Sequence, residues 1–214
     1  MKEASHRALE HWRGKFGAEY ITRNQATEDT VNQATEVFRR ILVNTGASEN
    51  IESVLEVGAN VGINLRGLRN LLGTDVKIAA LEPNPVAVEN LRAAEDLDLS
   101  HIIEGTCYDI PLPDNSMDLV FTCGVLIHIP PDGLEAAMRE INRVAAKYVL
   151  CAEYFSHTPV EIPYRDQTGL LWKRDFGKKY LEVCPDLKPV AYGFIWQVEF
   201  PHYDNANWWL FSKA

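Results

Sequence analysis

Short apolar runs alternate with segments of helical periodicity along this chain. The run SVLEV at 53–57 ends at a glycine, and apolar residues then recur at helical spacing from Ile63 to Leu72. A buried strand that leads through a glycine turn into an amphipathic helix is the entry to a doubly wound α/β sheet. The pattern therefore predicts an α/β fold built around parallel strands.

Further strands are predicted at 76–81, 101–104, 147–153, 190–200 and 207–212, with one more opened by Asp118. Helices are predicted at 3–16, 28–45, 133–146 and 175–183, and from Pro85 to about residue 96, with Asp132 as the cap of the helix that begins at 133. The stretch FGAEYITRN between the first two helices is expected to be non-helical. Trp196, Trp208, Trp209 and Phe211 are expected to pack in the core and in a terminal hairpin. Because two strands end the chain, it departs from continued βαβ alternation.

The glycine loop after the first strand indicates the kind of ligand. Its sequence, EVGANVG, has Asn60 where a dinucleotide fingerprint G-x-G-x-x-G has its middle glycine. Glu56 stands two residues before Gly58 and offers a carboxylate to a ligand ammonium. Asn60 tolerates a left-handed turn better than most other residues. The loop therefore suits an amino-acid tail better than a pyrophosphate.

Two more acids follow neighbouring strands. Glu82 ends the second strand before Pro83, where one carboxylate can accept hydrogen bonds from both ribose hydroxyls. A solvated strand-end glutamate is the alternative, and a dinucleotide site would also place an acid here. Tyr108 and Asp109 follow the third strand, and an apolar and proline-containing spacer leads to the segment SMDLV. Taken alone, Asp109 would be a turn residue.

Taken in order, these motifs resemble those of class I S-adenosylmethionine-dependent methyltransferases. The resemblance implies a Rossmann-like fold: a seven-stranded sheet with its last strand antiparallel, helices on both faces and an N-terminal helical cap at 1–47. It implies S-adenosylmethionine as cofactor and S-adenosylhomocysteine as product, with Asp109 accepting from the adenine amino group and Tyr108 flanking the ring. The implied cofactor-binding residues are Tyr20, Arg23, Glu56, Gly58, Asn60, Gly62, Glu82, Pro83, Tyr108, Asp109, Cys123 and Gly124.

Segments outside the cofactor motifs narrow the resemblance. FGAEYITRN, GVLIHIPP and AEYFSHTPVEIPYRDQ are similar to stretches of the bacterial pseudaminic acid biosynthesis-associated methylases. This family name implies an association with nonulosonic sugar pathways. It therefore suggests a polyhydroxylated, amino-bearing small molecule as the acceptor.

The acceptor site is predicted from three segments. These are the Tyr20 to Asn24 stretch, the GVLIHIPP segment, and an aromatic and charged insertion at 154–178 whose prolines favour a cover over the site. His128, Glu153, Tyr154 and His157 are the candidate catalytic groups, since a hydroxyl or ammonium acceptor has to lose a proton. The candidate substrate-binding residues are Tyr20, Asn24, His128, Tyr154, Tyr164, Arg165, Lys173 and Arg174. The alternatives remain open: His128 packed behind its loop, and the charged residues as a solvated surface.

Net charge and cysteine spacing indicate which kinds of partner and which compartment to expect. The 214 residues carry a net charge of −9, which argues against nucleic acid as a partner and favours a small molecule. From its length, the chain is expected to form one domain, 1–214. A cytoplasmic location is expected because its four cysteines are scattered without a C-x-x-C pair. No metal site is expected. A membrane segment is not expected either, since no run of eighteen apolar residues occurs.

The predicted activity is transfer of a methyl group to an oxygen or nitrogen of a small polar metabolite. One alternative is a catalytically silent S-adenosylmethionine-binding protein that senses metabolites or assists a pathway enzyme. Another is a nicotinamide dehydrogenase, which the missing middle glycine and the terminal strand pair disfavour.

Overall fold

A seven-stranded mixed sheet forms the centre of the protein, whose computed structural model describes residues 3–213. Its strands are β1 (Ser53–Val57), β2 (Lys77–Glu82), β3 (His101–Glu104), β4 (Met117–Cys123), β5 (Ala145–Glu153), β8 (Leu187–Ile195) and β9 (Ala206–Lys213). Their spatial order is β3-β2-β1-β4-β5-β9-β8. The first five strands are parallel, and β9 runs antiparallel to both β5 and β8. The predicted sheet is confirmed, including its antiparallel last strand.

Helices cover both faces of this sheet. They are α1 (Glu3–Arg13), α2 (Lys15–Ile21), α3 (Glu28–Phe38), α4 (Ile63–Leu72), α5 (Pro85–Ala93), α6 (Leu134–Val144) and α7 (Phe176–Val183). One core lies under α3 and α4, where Gly67 allows close packing because an added Cβ would lie 2.7 Å from that of Ala34. The second core lies under α6 and α7. A small hairpin of β6 (Val160–Glu161) and β7 (Trp172–Lys173) occupies the predicted insertion.

The strand order reverses direction between β1 and β4. β1 pairs with β2 on one side and with β4 on the other, so consecutive crossovers leave the sheet in opposite directions at this point. In open α/β sheets such a switch point creates a crevice beyond the carboxyl ends of the strands. Glu56, Glu82 and Cys123 lie at or near these three strand ends. The topology therefore positions the predicted motif residues around one crevice.

Several local details differ from the predictions. Residues 15–21 form α2, so Tyr20 is helical, and the first helix ends at Arg13 before the extended backbone of Gly14. Asp132 does not cap α6; it accepts a hydrogen bond from Ser5 Oγ at 2.7 Å, and Gly133 holds the cap position. The strand predicted at 190–200 is β8, which ends at Ile195. Trp196 therefore lies beyond the strand and is exposed, not packed in the core. The second helix gives way at Arg39 to a π-helical turn, Arg39–Val43.

No helix within residues 3–213 is both long and apolar enough to cross a bilayer.

Candidate active site

A cavity of about 270 Å³ opens at the carboxyl ends of β1, β2 and β4. Its floor is the glycine loop after β1, and its far wall is the segment that follows β4. Side chains of α1 and α2 cover it, and residues of the loop between β8 and β9 complete one side. The N-terminal cap and the cofactor motifs therefore enclose a single site.

Glu56 lies at the base of this cavity as a buried carboxylate with one free oxygen. Its Oε1 accepts a hydrogen bond from Asn64 Nδ2 at 2.7 Å, whereas Oε2 has no partner within residues 3–213. Tyr203 Oη in turn donates to Asn64 Oδ1 at 2.6 Å, which fixes the amide orientation. Burial raises the pKa of Glu56 well above its usual range. A cationic ligand group at Oε2 would restore the charged form.

Glu82 is held by the backbone on both sides. Its Oε2 accepts from the amide of Asn60 at 2.8 Å, and its Oε1 accepts from the amide of Asn84 at 2.9 Å. Burial nevertheless raises the pKa of Glu82 to about 7. Each carboxylate oxygen retains a second lone pair, so the residue can still accept two hydroxyl hydrogen bonds. The geometry is compatible with the predicted ribose contact.

The two loop glycines have different surroundings. Gly58 lines the cavity with φ 82°, and an added Cβ would lie 2.6 Å from a methyl carbon of Val125. Gly62 does not line the cavity; with φ 76° it caps α4, where an added Cβ would approach Leu97 and Leu91 to 2.8 and 3.0 Å. Replacing Gly62 would thus disturb the core, because its neighbours are core side chains and not the cavity lining. Asn60 adopts φ 47°, the left-handed conformation expected from the sequence.

The segment after β3 presents other residues to the cavity than the sequence suggested. Asp109 is exposed and does not line it, because its backbone turns back to pair with Thr106. Thr106, Cys107 and Tyr108 line the cavity instead. The predicted flanking position of Tyr108 is compatible with this geometry, and the adenine contact of Asp109 stays a prediction.

An aromatic cover lies over the cavity. The ring of Trp12 is 4.5 Å from His128 and 5.5 Å from Tyr20, and Tyr164 is 5.3 Å from His128 between ring centroids. Phe16 joins Trp12 and Tyr164 at 5.2 and 5.9 Å. The Tyr20 to Asn24 stretch, the GVLIHIPP segment and the insertion therefore meet through aromatic rings in edge-on and tilted contacts.

His128 is a neutral imidazole of defined tautomer. Its Nδ1 lies 2.7 Å from the carbonyl oxygen of Leu170, which can only accept, so Nδ1 carries the proton. Burial lowers the pKa of His128 to about 4. The Nε2 lone pair is therefore available at neutral pH, although it is a weak base. The ring is hydrogen-bonded behind its loop and also lines the cavity, and its role toward an acceptor stays a prediction.

The other catalytic candidates are spread apart. Tyr154 lines the cavity, and its hydroxyl donates to Asp204. His157 is exposed and lies outside the cavity lining. Glu153 is fully buried and faces away, accepting hydrogen bonds at 3.0–3.2 Å from the backbone amides of Val125, Leu126 and Ile127. Its position is that of an anchor for the segment bearing His128.

The predicted positively charged residues lie outside the cavity lining, and each contacts an aromatic ring. Arg23 lies 5.6 Å from the ring centroid of Tyr20, Arg165 lies 5.7 Å from that of Tyr164, and Lys173 lies 5.3 Å from that of Tyr154. Arg174 is buried against Trp172 and Phe176, and donates to the Ile129 carbonyl at 3.1 Å. Burial lowers the pKa of Arg174 to about 10.

Of the other predicted ligands, Gly124, Cys123, Pro83 and Asn24 line the cavity. Sequence reasoning missed several lining residues: Trp12, Asn64, Thr106, Tyr203 and Asp204. Asn64 could have been found, because it lies one helical turn from the glycine loop on the face toward Glu56. Tyr203 and Asp204 gave no signal in the sequence, since they lie in the β8–β9 loop and reach the site only through the insertion of β9. The described residues contain no cluster of His, Cys, Asp or Glu that could bind a metal ion.

The sheet order, with β9 antiparallel between β5 and β8, defines the Rossmann-like fold of methyltransferases. Residues 55–152 match the family described as a methyltransferase domain. The match spans β1 to β5 and thus the glycine loop and the central segment. No curated protein matches the sequence significantly.

Solved structures of low sequence identity share the fold over almost the whole chain. An S-adenosylmethionine-dependent methyltransferase of Leishmania major has a TM-score of 0.73 at 18% identity, covering 99% of this chain and 84% of its own. The Burkholderia thailandensis 1,6-didemethyltoxoflavin-N1-methyltransferase, solved with its substrate and S-adenosylhomocysteine, has a TM-score of 0.73 at 15% identity, covering 100% and 92%. The magnesium protoporphyrin IX methyltransferase of Synechocystis, solved with S-adenosylmethionine, has a TM-score of 0.68 at 10% identity, covering 100% and 99%. The narrower resemblance to the pseudaminic acid-associated methylases stays a prediction.

Proposed function

We propose that this protein binds S-adenosylmethionine in the cavity and transfers its methyl group to a nitrogen or oxygen of a small polar metabolite. The observation that carries this proposal is Glu56 Oε2, a buried carboxylate oxygen at the end of β1 that has no hydrogen-bond partner among residues 3–213. A methionine ammonium is a group that would satisfy it. Two further buried atoms of lining residues, Asn60 Oδ1 and Trp12 Nε1, have no partner within the described chain and are open to a ligand as acceptor and donor.

The residues divide into a cofactor side and an acceptor side. Glu56, Glu82, Asn60 and the Thr106 to Tyr108 stretch would hold the amino-acid tail, ribose and adenine. When bound, the cofactor supplies a methyl group activated by a sulfonium. His128, Tyr154 and Tyr164 line the same cavity beyond the end of β4, where they would hold an acceptor against it. Positioning of two reactants in this way supplies roughly 7 to 11 kcal/mol of barrier lowering.

The proton of the acceptor needs a receiver during the transfer. The Nε2 of His128 is the unprotonated nitrogen on the cavity side, since Nδ1 donates to Leu170. A hydroxyl acceptor would donate a hydrogen bond to it as the oxygen attacks. An amine acceptor has to be in its free-base form before attack and then releases its proton to water or to a wall residue.

The class of acceptor follows from the resemblance and the fold relatives together. The relatives' names include an N-methyltransferase and a methyltransferase of a tetrapyrrole, both acting on small molecules. The resemblance to the pseudaminic acid-associated methylases adds amino sugars. The four cysteines are free, which supports a reducing cytoplasmic location as part of this proposal.

The proposal is tested by calorimetry followed by turnover. We expect micromolar binding of S-adenosylmethionine and S-adenosylhomocysteine, about 8 kcal/mol, and none of NAD. Mass spectrometry of a metabolite panel should then detect products heavier by one methylene. His128→Ala should lower turnover far more than cofactor affinity, because its contacts are on the acceptor side. Binding without turnover on any acceptor would favour the silent sensor, and tighter binding of NAD would refute the proposal.

A further inference from the structure

The charge of the cavity restricts what the acceptor can be. Among the described residues that line it there are three carboxylates, Glu56, Glu82 and Asp204, and neither lysine nor arginine. The two lining histidines, His128 and His202, have pKa values lowered by burial, so neither supplies a positive charge at neutral pH. A carboxylate or phosphate on the acceptor would find no counter-charge in this lining.

The acceptor side combines one carboxylate with several tyrosines. Tyr154 Oη donates to Asp204 Oδ2, and Gln197 Nε2 reaches Oδ1 at 3.4 Å. Tyr20 and Tyr164 line the same cavity, where their rings contact those of Trp12 and His128 at 5.5 and 5.3 Å. The three phenols and Asp204 therefore line one cavity. Asp204 is exposed there, so it stands at the mouth.

Such a wall is selective for positive charge. Aromatic faces attract a cation through the ring quadrupole, and a carboxylate adds a charge-assisted hydrogen bond. The nearby Arg23, Arg165 and Lys173 show this attraction already, since each lies 5.3–5.7 Å from the centroid of Tyr20, Tyr164 or Tyr154. These three cations lie outside the cavity lining, whereas the three tyrosines line the cavity and can contact a ligand there.

We propose that the methyl acceptor is an amine, bound as an ammonium between Asp204 and the rings of Tyr20, Tyr154 and Tyr164. This inference rests on the proposed function and specifies its substrate class. The ammonium first releases one proton to Asp204 or water. The nitrogen lone pair then forms the N–C bond while the S–C bond breaks and its electron pair stays on sulfur. The methylated ammonium and the neutral thioether product result, so charge and atoms balance.

The test uses matched probes that differ only in the charged group. Protein saturated with S-adenosylhomocysteine is titrated with benzylamine, benzyl alcohol and benzoate, and with glucosamine, N-acetylglucosamine and glucuronate. We expect the amine of at least one series to bind about tenfold or more tighter than its neutral and acidic counterparts, the range expected of a charge-assisted contact. Turnover with S-adenosylmethionine should place the new methyl on nitrogen.

Two substitutions assign the effect to the cluster. Asp204→Asn keeps the shape of the side chain and should weaken amine binding about tenfold or more while leaving S-adenosylhomocysteine affinity within about twofold. Asp166→Asn is the matched control, because it removes the same charge from an exposed position of the insertion that does not line the cavity. It should leave amine binding unchanged.

Several outcomes would overturn the inference. They are equal or weaker binding of the amines in both series, methylation of hydroxyl or carboxylate groups only, or equal behaviour of Asp204→Asn and Asp166→Asn. In each of these cases cofactor binding would persist, so the proposed function would stand. Failure to bind S-adenosylhomocysteine at all would instead refute the proposed function.

Discussion

The carboxylates of the cavity differ in what their neighbours leave for a ligand. Both oxygens of Glu82 accept hydrogen bonds from backbone amides, which fixes the orientation of the carboxylate. Within the described part of the chain, one oxygen of Glu56 accepts a hydrogen bond from Asn64, and the other is buried without a partner. A buried unpaired acceptor costs about 1 to 3 kcal/mol. Glu56 is therefore the residue whose environment a cationic ligand improves most.

Glu56→Gln should weaken S-adenosylmethionine binding by about 1.5 to 3 kcal/mol, or roughly ten- to a hundredfold, because it removes the charge opposite the ammonium while keeping the shape. Calorimetry measures the loss, and circular dichroism checks the fold. Glu49→Gln is the control, since it neutralises an exposed glutamate in the turn before β1, away from the cavity. Equal affinity of the two variants would make Glu56 a structural residue.

Single residues show where sequence reasoning succeeds. Apolar runs fix where β1 and β2 end. The placement at the cavity of the residues at or just after these ends could therefore be predicted, namely Glu56, Gly58, Asn60 and Glu82. Asp109 follows a strand too, but its side chain is directed by a local backbone pairing with Thr106. Spacing fixes the position of a loop more firmly than the direction of each side chain within it.

Among the elements, α1 and α2 form the cover of the site. Asn84 connects them to the sheet, since its Nδ2 donates to the carbonyl of Trp12 at 2.8 Å while its Oδ1 caps α5. Gly17 sits at this junction, where an added Cβ would lie 1.8 Å from Trp12 O and 2.6 Å from Asn84 Nδ2. The contact between cover and sheet thus requires a glycine.

Gly17→Ala should detach α2 from Asn84 and weaken cofactor binding at least several-fold, with a lower melting temperature. Gly14→Ala is the matched control, because its Cβ would be 3.1 Å from the nearest atom, Glu10 O, and its backbone conformation suits alanine. Thermal unfolding with and without S-adenosylhomocysteine measures both effects. Indistinguishable stability and affinity in the two variants would contradict this role of Gly17.

The prediction missed α2 for a physical reason. A helix of seven residues is marginal on its own, and its formation depends on tertiary contacts that the sequence pattern does not display. The longer helices α3, α4 and α6 carry apolar stripes that their own sequences reveal. Elements with their own periodicity were therefore predictable, and the short cover was not.

For the whole molecule, buried carboxyls make stability depend on pH. Burial raises the pKa of Glu153 to about 7, against 4.5 for an ordinary glutamate. Between these values the folded state binds more protons than the unfolded state, so the free energy of unfolding falls as pH rises through this window. The loss from this one group is up to about 3 kcal/mol.

Glu153→Gln should remove this contribution, so urea unfolding at pH 5 and pH 7.5 should show a smaller decline in the variant than in the wild type. Glu161→Gln, an exposed glutamate of the insertion, should decline like the wild type. Parallel declines in all three proteins would show that Glu153 titrates at its ordinary value.

At this scale the sheet was predictable and the complete cavity was not. The seven-stranded sheet with its antiparallel last strand followed from the resemblance carried by the motifs. Tyr203 and Asn64 are 139 positions apart, and Asn84 and Trp12 are 72 apart, yet both pairs form hydrogen bonds at the site. Such pairs depend on how the elements pack, and no local pattern encodes them.

The place of β9 within the sheet also has a consequence for synthesis on the ribosome. Among the described strands, β8 lies at the edge and pairs with β9, and β9 is the strand that joins β8 to β5. While residues 206–213 are inside the exit tunnel, β5 is left as an open edge and the 187–195 segment has no place in the sheet. The nascent chain can assemble β1 to β5 early, but it exposes an unpaired strand until translation has passed residue 213. Chaperones that recognise extended apolar segments would therefore meet this protein at the β5 edge, before β9 has left the ribosome.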